Sequence, residues 1–477
     1  MSRSIFSAPP RALGALLLST SVLTACASVP DLGAPPQPKP ATSYLSAQIL
    51  SAPESAWPED TWWQAYGDPQ LTRLIVEALT GSPDLAVAEA RVRQAEALAQ
   101  QAGAALGPQL QAEASVAAAK QSYNNGVPAD FVPHGWNDSG RVGANLSWQL
   151  DFFGRNRASL AAATSQAQAA RAEAAAARLT LSTAVASAYA DLAQLHADRD
   201  AADQAVRVRR QTEDLISQRR AQGLENRSAE QRAHAARAAA EADLAAVDEA
   251  LGLTRNRIAA LTGQGPDRGI GIDRPAQTSV RAFGLPANLQ ADLVGRRPDV
   301  TAARLRAEAA AKRIKVARAD FYPNLNLTAF LGVQSLGLDL LTKSGSTVGQ
   351  VGPAVSLPIF DSGRLQGAFR GARAEYDEAV ASYDQTLARA LNDVADAAVS
   401  ARALDARLAK SREALAASVD AHKLAQDRYR GGLATYLDVL SAEDALIANR
   451  RTVADLEARA FSLDVELVRA LGGGFHA

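Results

Sequence analysis

The chain has 477 residues, with 50 basic and 51 acidic side chains and a formal net charge of −1. That balance gives no electrostatic ground for nucleic-acid binding, and a single cysteine, Cys26, leaves no disulfide possible within the chain. The five histidines (His134, His196, His234, His422 and His476) are scattered, and no His/Cys/Asp set has metal-ligand spacing. No nucleophile elbow, phosphate loop or dinucleotide fingerprint occurs, so no enzymatic function is expected. The only methionine is the initiator, which argues against a thioether relay for soft metals.

At the amino terminus, Arg3 and Arg11 precede an apolar run from Ala12 to Val22 that is too short to span a bilayer. The pattern is that of a secretory signal, expected over residues 1–25. It ends in Leu23-Thr24-Ala25-Cys26. Residues 26–60 are rich in Pro, Ala and Ser and predict an extended tether with no core of its own. Trp62-Trp63 then predicts a hydrophobic clamp of this tether onto the body of the protein. No later stretch offers 18 consecutive apolar residues, so no transmembrane helix is expected.

The body reads as a tandem repeat. Ser82-Pro83-Asp84 and Arg297-Pro298-Asp299 each open a helix, with Pro at its first turn and Asp beside it. Each helix gives way at a second proline, Pro108 or Pro323, to residues of alternating polarity. Leu325, Leu327, Ala329 and Leu331 alternate with Asn324, Asn326, Thr328 and Phe330. Val142, Ala144, Leu146, Trp148 and Leu150 alternate with Arg141, Gly143, Asn145, Ser147 and Gln149. Strands are expected at about 109–118, 141–150, 324–334 and 349–358. Such strands fit either a half-buried soluble sheet or a lipid-facing barrel with a wet interior.

Gly154 to Gly223 and Gly363 to Gly432 then enclose two intervals of 69 residues each, free of Pro and rich in Ala, Leu, Arg, Glu and Gln. Each predicts a helix about 100 Å long. Return helices follow, with coiled-coil-like spacing at Leu456, Ala460, Leu463, Leu467 and Ala470. The predicted divisions are a first repeat at 61–265, a linker at 266–290, a second repeat at 291–473 and a tail at 474–477. Four strands cannot close a barrel, so their edges need other subunits.

This order resembles the TolC/OprM/NodT-type outer-membrane efflux lipoproteins over essentially all of the mature chain. The resemblance is carried by Thr61 to Leu71, Gly295-Arg296-Arg297-Pro298-Asp299-Val300, Phe321-Tyr322-Pro323, Leu357 to Gly363 and Arg428 to Leu440. It implies a mainly α fold with a β-barrel portion, in which a homotrimer forms an α-barrel and a 12-stranded transmembrane barrel. It further implies the outer-membrane channel of a tripartite pump, exporting small toxic compounds or drugs, with a periplasmic adaptor and an inner-membrane pump of RND type as partners. Leu23 to Cys26 resembles a lipobox, which implies diacylglyceryl and N-acyl groups on Cys26; Ala27 after it implies the outer membrane. Plain signal cleavage, with Cys26 inert, is the alternative.

In the family, a ring of Tyr and Asp closes the periplasmic tip, and Tyr429 and Asp438 match those positions. Ser441 stands where a second Asp is common, with Glu443 nearby, and Ala229 departs from an acidic gate position. Arg227, Glu230, Arg428, Arg430 and Glu443 are candidate gate partners, with Arg219 and Arg220 at the same end. From the residues alone, an acidic side chain just after a helical turn, as Asp438 is, usually reads as a solvated charge at a helix start. The alternative functions are a periplasmic adaptor lipoprotein, which needs one helical hairpin rather than two hairpin-bearing repeats, and a duct for peptide or protein secretion.

Overall fold

A computed structural model describes residues 28–46, 48–276 and 283–476; the signal segment and Cys26 lie outside the described residues. The chain falls into two compact units. The first comprises the described residues within Met1–Pro38, Arg93–Ala169 and Arg304–Ser382, and the second those within Lys39–Val92, Ala170–Ala303 and Tyr383–Ala477.

Helix α1 (Pro69–Gly81) is followed by α2 (Pro83–Ala104), β1 (Gln109–Ala119), β2 (Asn137–Leu150), α3 (Arg155–Ala221) and α4 (Arg227–Leu261). The second repeat has α5 (Leu289–Arg296), α6 (Pro298–Ala319), β3 (Asn324–Leu336), β4 (Thr347–Ser356), α7 (Arg364–Arg430) and α8 (Tyr436–Ala470). Corresponding helices match in length: α2 and α6 have 22 residues, α3 and α7 have 67, α4 and α8 have 35. At 1.5 Å per residue each 67-residue helix measures about 100 Å.

In the first unit the strands form one antiparallel sheet in the order β1-β2-β3-β4, so the two repeats share it through β2 and β3. The register sorts the side chains by polarity. Leu110, Leu146, Ala329 and Val351 share one rung; Trp148, Leu327 and Pro353 share another; Leu150, Leu325 and Val355 a third. These rungs lie on one face, which is apolar from Val142 to Leu150 and from Leu325 to Val333. The opposite face carries Gln109, Gln111, Glu113, Asn145, Ser147, Asn326, Thr328 and Gln350. Trp148 lies one rung from the end of the apolar face, and its indole N–H donates to the Leu106 carbonyl at 3.0 Å.

The strand ends differ from the alternation. Pairing continues to Ala119↔Asn137, so β2 starts before Arg141, and β3 runs to Leu336 because the backbone ladder outlasts the apolar pattern. β4 starts at Thr347 and stops at Ser356, before Pro358, which has no N–H to donate. Pro353 is tolerated within β4 because that strand is an edge. Every residue of the other edge, β1, is exposed.

The tether is fastened rather than free. In the first unit the Arg373 guanidinium donates to the carbonyls of Gly33 and Ala34, and the Tyr376 hydroxyl to that of Pro36. In the second unit the Lys39 N–H donates to Asp384 and Arg402 donates to the Ile49 carbonyl. An extended segment exposes carbonyls, and the arginines of α7 satisfy them.

The second unit is built around Trp62, Trp63 and Tyr66, which pack with Leu71, Leu74 and Ile75 of α1, with Val185 to Leu192 of α3, and with Phe461 and Val465 of α8. Ile272, in the predicted linker, is buried in the same core. Asp68 caps α1 through the N–H groups of Gln70 and Leu71, and accepts the Tyr189 hydroxyl at 2.6 Å. Arg297 is buried and ties Asp299, Asp393 and the Ala470 carbonyl together. Gly472 has φ +91°, and an added Cβ would lie 2.1 Å from the Arg296 carbonyl oxygen, so only glycine fits this closure of the second repeat.

Candidate functional site

Two helical turns meet within the second unit. α3 ends at Gly223 (φ +77°) and α7 at Gly432 (φ +74°). In each turn the residue after the glycine bonds back five positions, Leu224 N–H to the Arg219 carbonyl and Leu433 N–H to that of Arg428. This is the Schellman geometry for which glycine supplies the left-handed residue. The chain re-enters helix behind polar caps. Asn226 accepts from the Ala229 N–H at 2.9 Å, which leaves small Ala229 free to bury against its neighbours. Thr435 opens α8 with a capping box.

Tyr429 holds the two turns together. It is buried with Ile216, Ala229, Ala233, Tyr436 and Val439. Its hydroxyl donates to Glu225 Oε1 at 2.8 Å, across the two turns. The Arg219 guanidinium lies 4.5 Å from the centre of its ring and donates to its carbonyl. Burial, reinforced by the bond to Glu225, pushes the Tyr429 phenol well above its ordinary range, so it stays a donor at physiological pH. Glu225 is the partner that sequence reasoning did not single out; its position beside the first turn, opposite a buried Tyr, was the available signal.

Asp438 is exposed at the third position of α8, and its Oδ2 accepts the Thr435 N–H at 2.7 Å and the Thr435 hydroxyl at 2.8 Å. The bond from the Thr435 N–H, above all, holds the Asp438 carboxyl below its ordinary range. Within one subunit Asp438 is thus a capping residue whose carboxylate also meets solvent. Glu230 pairs with Arg220, and Arg430 with Asp427. Arg428 is exposed, and its charge helps lower the Asp438 carboxyl. Arg227 is exposed at the start of α4 with no acidic partner among the described residues.

Glu443 stands apart from these groups. It is fully buried, 3.4 Å from the Arg209 guanidinium, with Thr212 donating at 3.4 Å. Arg209 also pairs with Asp444. Burial pushes the Glu443 carboxyl above its ordinary range, and its Oε1 and the Tyr436 hydroxyl have no hydrogen-bond partner among the described residues. Glu443 belongs to the seam between α3 and α8 and does not join Asp438 at the surface.

The family profile described as outer membrane efflux protein matches residues 74–264 and 289–473. The chain is 31% identical to the multidrug resistance outer membrane protein MdtP of Escherichia coli O6:H1, over 98% of this chain and 96% of that protein. It is 30% identical to the probable outer membrane lipoprotein SilC of Salmonella typhimurium, over 96% of this chain and 98% of that protein. Among solved structures, the outer membrane protein VceC of Vibrio cholerae superposes with a TM-score of 0.84 at 46% identity, covering 88% of this chain and all of that one.

Proposed function

This chain belongs to the outer membrane efflux protein family and is an outer-membrane efflux channel, and on that premise we propose that it works as the passive exit duct of a tripartite pump. Three copies pair β4 of one subunit with β1 of the next, giving twelve strands and no free edge. The carrying observation is the apolar face of the sheet. It runs nine residues in β2, from Val142 to Leu150, and nine in β3, from Leu325 to Val333. That is the length a tilted strand needs to cross a bilayer. The opposite, polar face then lines a wet lumen.

A lipid on Cys26 fits the fastened tether. Gly33 lies seven residues beyond Cys26 and is held by Arg373, near the start of α7, in the same unit as the sheet. The extended span from Cys26 is at most about 25 Å, which keeps the anchor near the membrane-facing strands. The substrates are small toxic compounds or drugs, a reading supported by the similarity to a multidrug resistance protein. A periplasmic adaptor and an RND-type inner-membrane pump deliver them.

In the resting trimer the paired turns hold the duct narrow, with Tyr429 as the internal latch and Asp438, backed by Arg428, as an exposed carboxylate ring. The test is single-channel conductance in planar bilayers for wild type, Tyr429→Ala and Asp438→Ala. Small flickering wild-type currents that become large in Tyr429→Ala support a duct latched at these turns. Large currents from all three keep the duct and remove the latch. No current from any inserted protein sinks the channel reading.

A further inference from the structure

The polar face of the sheet carries a built feature that neither the barrel nor the latch requires. Phe330 is its only aromatic side chain. The ring reaches over a rung of two glycines, Gly143 and Gly332. A Cβ added at Gly143 would sit 2.4 Å from the ring, and one at Gly332 would sit 2.9 Å from it. Any side chain on that rung would therefore lift Phe330 off the sheet. Over the ring, 4.1 Å from its centre, lies the Arg141 guanidinium. The stack spans the boundary between the repeats, joining β2 to β3.

Arg141 and Glu113 are the only charged residues on this face of the four strands. Glu113 is occupied by Asn145, whose amide donates to it at 2.8 Å. Arg141 has no carboxylate partner among the described residues, and its Nε is buried without a hydrogen-bond partner. An unpaired arginine would normally extend its head into the widest water available; this one is pinned at a fixed level by its stacking on the ring. The equivalent rungs of the sheet hold Gln350 beside Phe330 and Ser115 beside Arg141, neither of them charged. The charge thus occurs once per chain.

We propose that Arg141, held on Phe330, is a charge-selecting residue of the lumen, forming in the trimer a ring of three fixed cations that favours anionic over cationic solutes. This rests on the barrel reading given above. Rings of arginine in a pore with low-dielectric walls raise the local anion concentration.

The test is the reversal potential of the purified trimer in a planar bilayer under a KCl gradient, measured in both wild-type and Tyr429→Ala backgrounds. Arg141→Gln is expected to lower the chloride-to-potassium permeability ratio by roughly fivefold, the scale of one unit charge a few ångströms from a permeating ion in water. Arg141→Lys should keep most of the wild-type ratio, and Glu113→Gln should shift it the other way. An unchanged ratio in conducting Arg141→Gln overturns the proposal and leaves the duct intact. Absence of current from every variant, wild type included, removes the duct reading and this proposal with it.

Labelling provides a second, independent check. Cys26 is the only natural cysteine, so Arg141→Cys and Leu331→Cys can each be probed in vesicle-reconstituted protein with a charged, water-soluble thiol reagent. Reaction at 141 and protection at 331 is expected; the opposite pattern overturns the assignment of the polar face to the lumen.

Discussion

Tyr429→Phe isolates one bond at the paired turns. The ring stays, so its burial among Ile216, Ala229 and Tyr436 and its contact with Arg219 are preserved. What disappears is the hydroxyl that donates to Glu225 at 2.8 Å. A hydrogen bond to a charged acceptor contributes about 1.5–3 kcal/mol. If it exists only while the turns are together, its loss raises the open-to-closed ratio by roughly 10- to 150-fold per subunit, at about 1.4 kcal/mol for each factor of ten. Open probability in planar bilayers reads this directly, and Glu225→Gln should move it in the same direction. Unchanged open probability in both variants, with trimers of normal thermal stability, would refute the idea that this bond latches the turns.

Other expectations follow from buried groups elsewhere. Burial, and secondarily Asp455, push the Asp198 carboxyl up from 3.8 to about 6. The folded chain then binds more protons than the unfolded one between those values. The Asp198 carboxyl by itself therefore costs no stability below 3.8, costs progressively more as pH rises to about 6, and costs roughly 3 kcal/mol at neutral pH. Asp198→Asn should raise Tm at pH 7.5 and make little difference at pH 4; equal melting at both pH values would count against it. Arg297→Ala strips Asp299, Asp393 and the Ala470 carbonyl of their shared donor and should cost about 3 kcal/mol in denaturant unfolding, whereas a change within error would show the cluster to be dispensable. Cys26→Ala should abolish incorporation of labelled palmitate while leaving the chain folded, and persistent labelling would place the lipid elsewhere.

The architecture was legible because it is written in punctuation. Gly154, Gly223, Gly363 and Gly432 mark the ends of helices that no proline interrupts, and the polar–apolar alternation runs from Arg141 to Leu150 in β2 and from Asn324 to Leu331 in β3, with Phe330 as its one departure. The site was legible only in part. Tyr429 and Asp438 could be located, but Thr435-Tyr436-Leu437-Asp438 is also the sequence signature of a capping box, and the structure shows that box formed. Glu443 continues the heptad-like spacing of Tyr436, Val439 and Leu446, so extending the seam upstream would have placed it in the interior. Other features were beyond reach. The pairing of β2 with β3 sets Arg141 against Phe330 across the repeat boundary, and no local pattern encodes that register. The fastening of the tether depends on backbone carbonyls, which leave no mark on residue identity.

The matched lengths of the repeats have a consequence for how such a gene can change. Helices α3 and α7 each span 67 residues, and α4 and α8 each span 35. Tyr429 meets Glu225 only because the two long helices stop in step. Deleting one residue from α7 alone would rotate its last turn by about 100° and draw it back by about 1.5 Å, turning Tyr429 away from its partner. A viable change in reach therefore requires matching insertions or deletions at two distant places in the same reading frame. A lineage can readily revise the loops between strands, but it inherits the length of the helices almost as a fixed quantity.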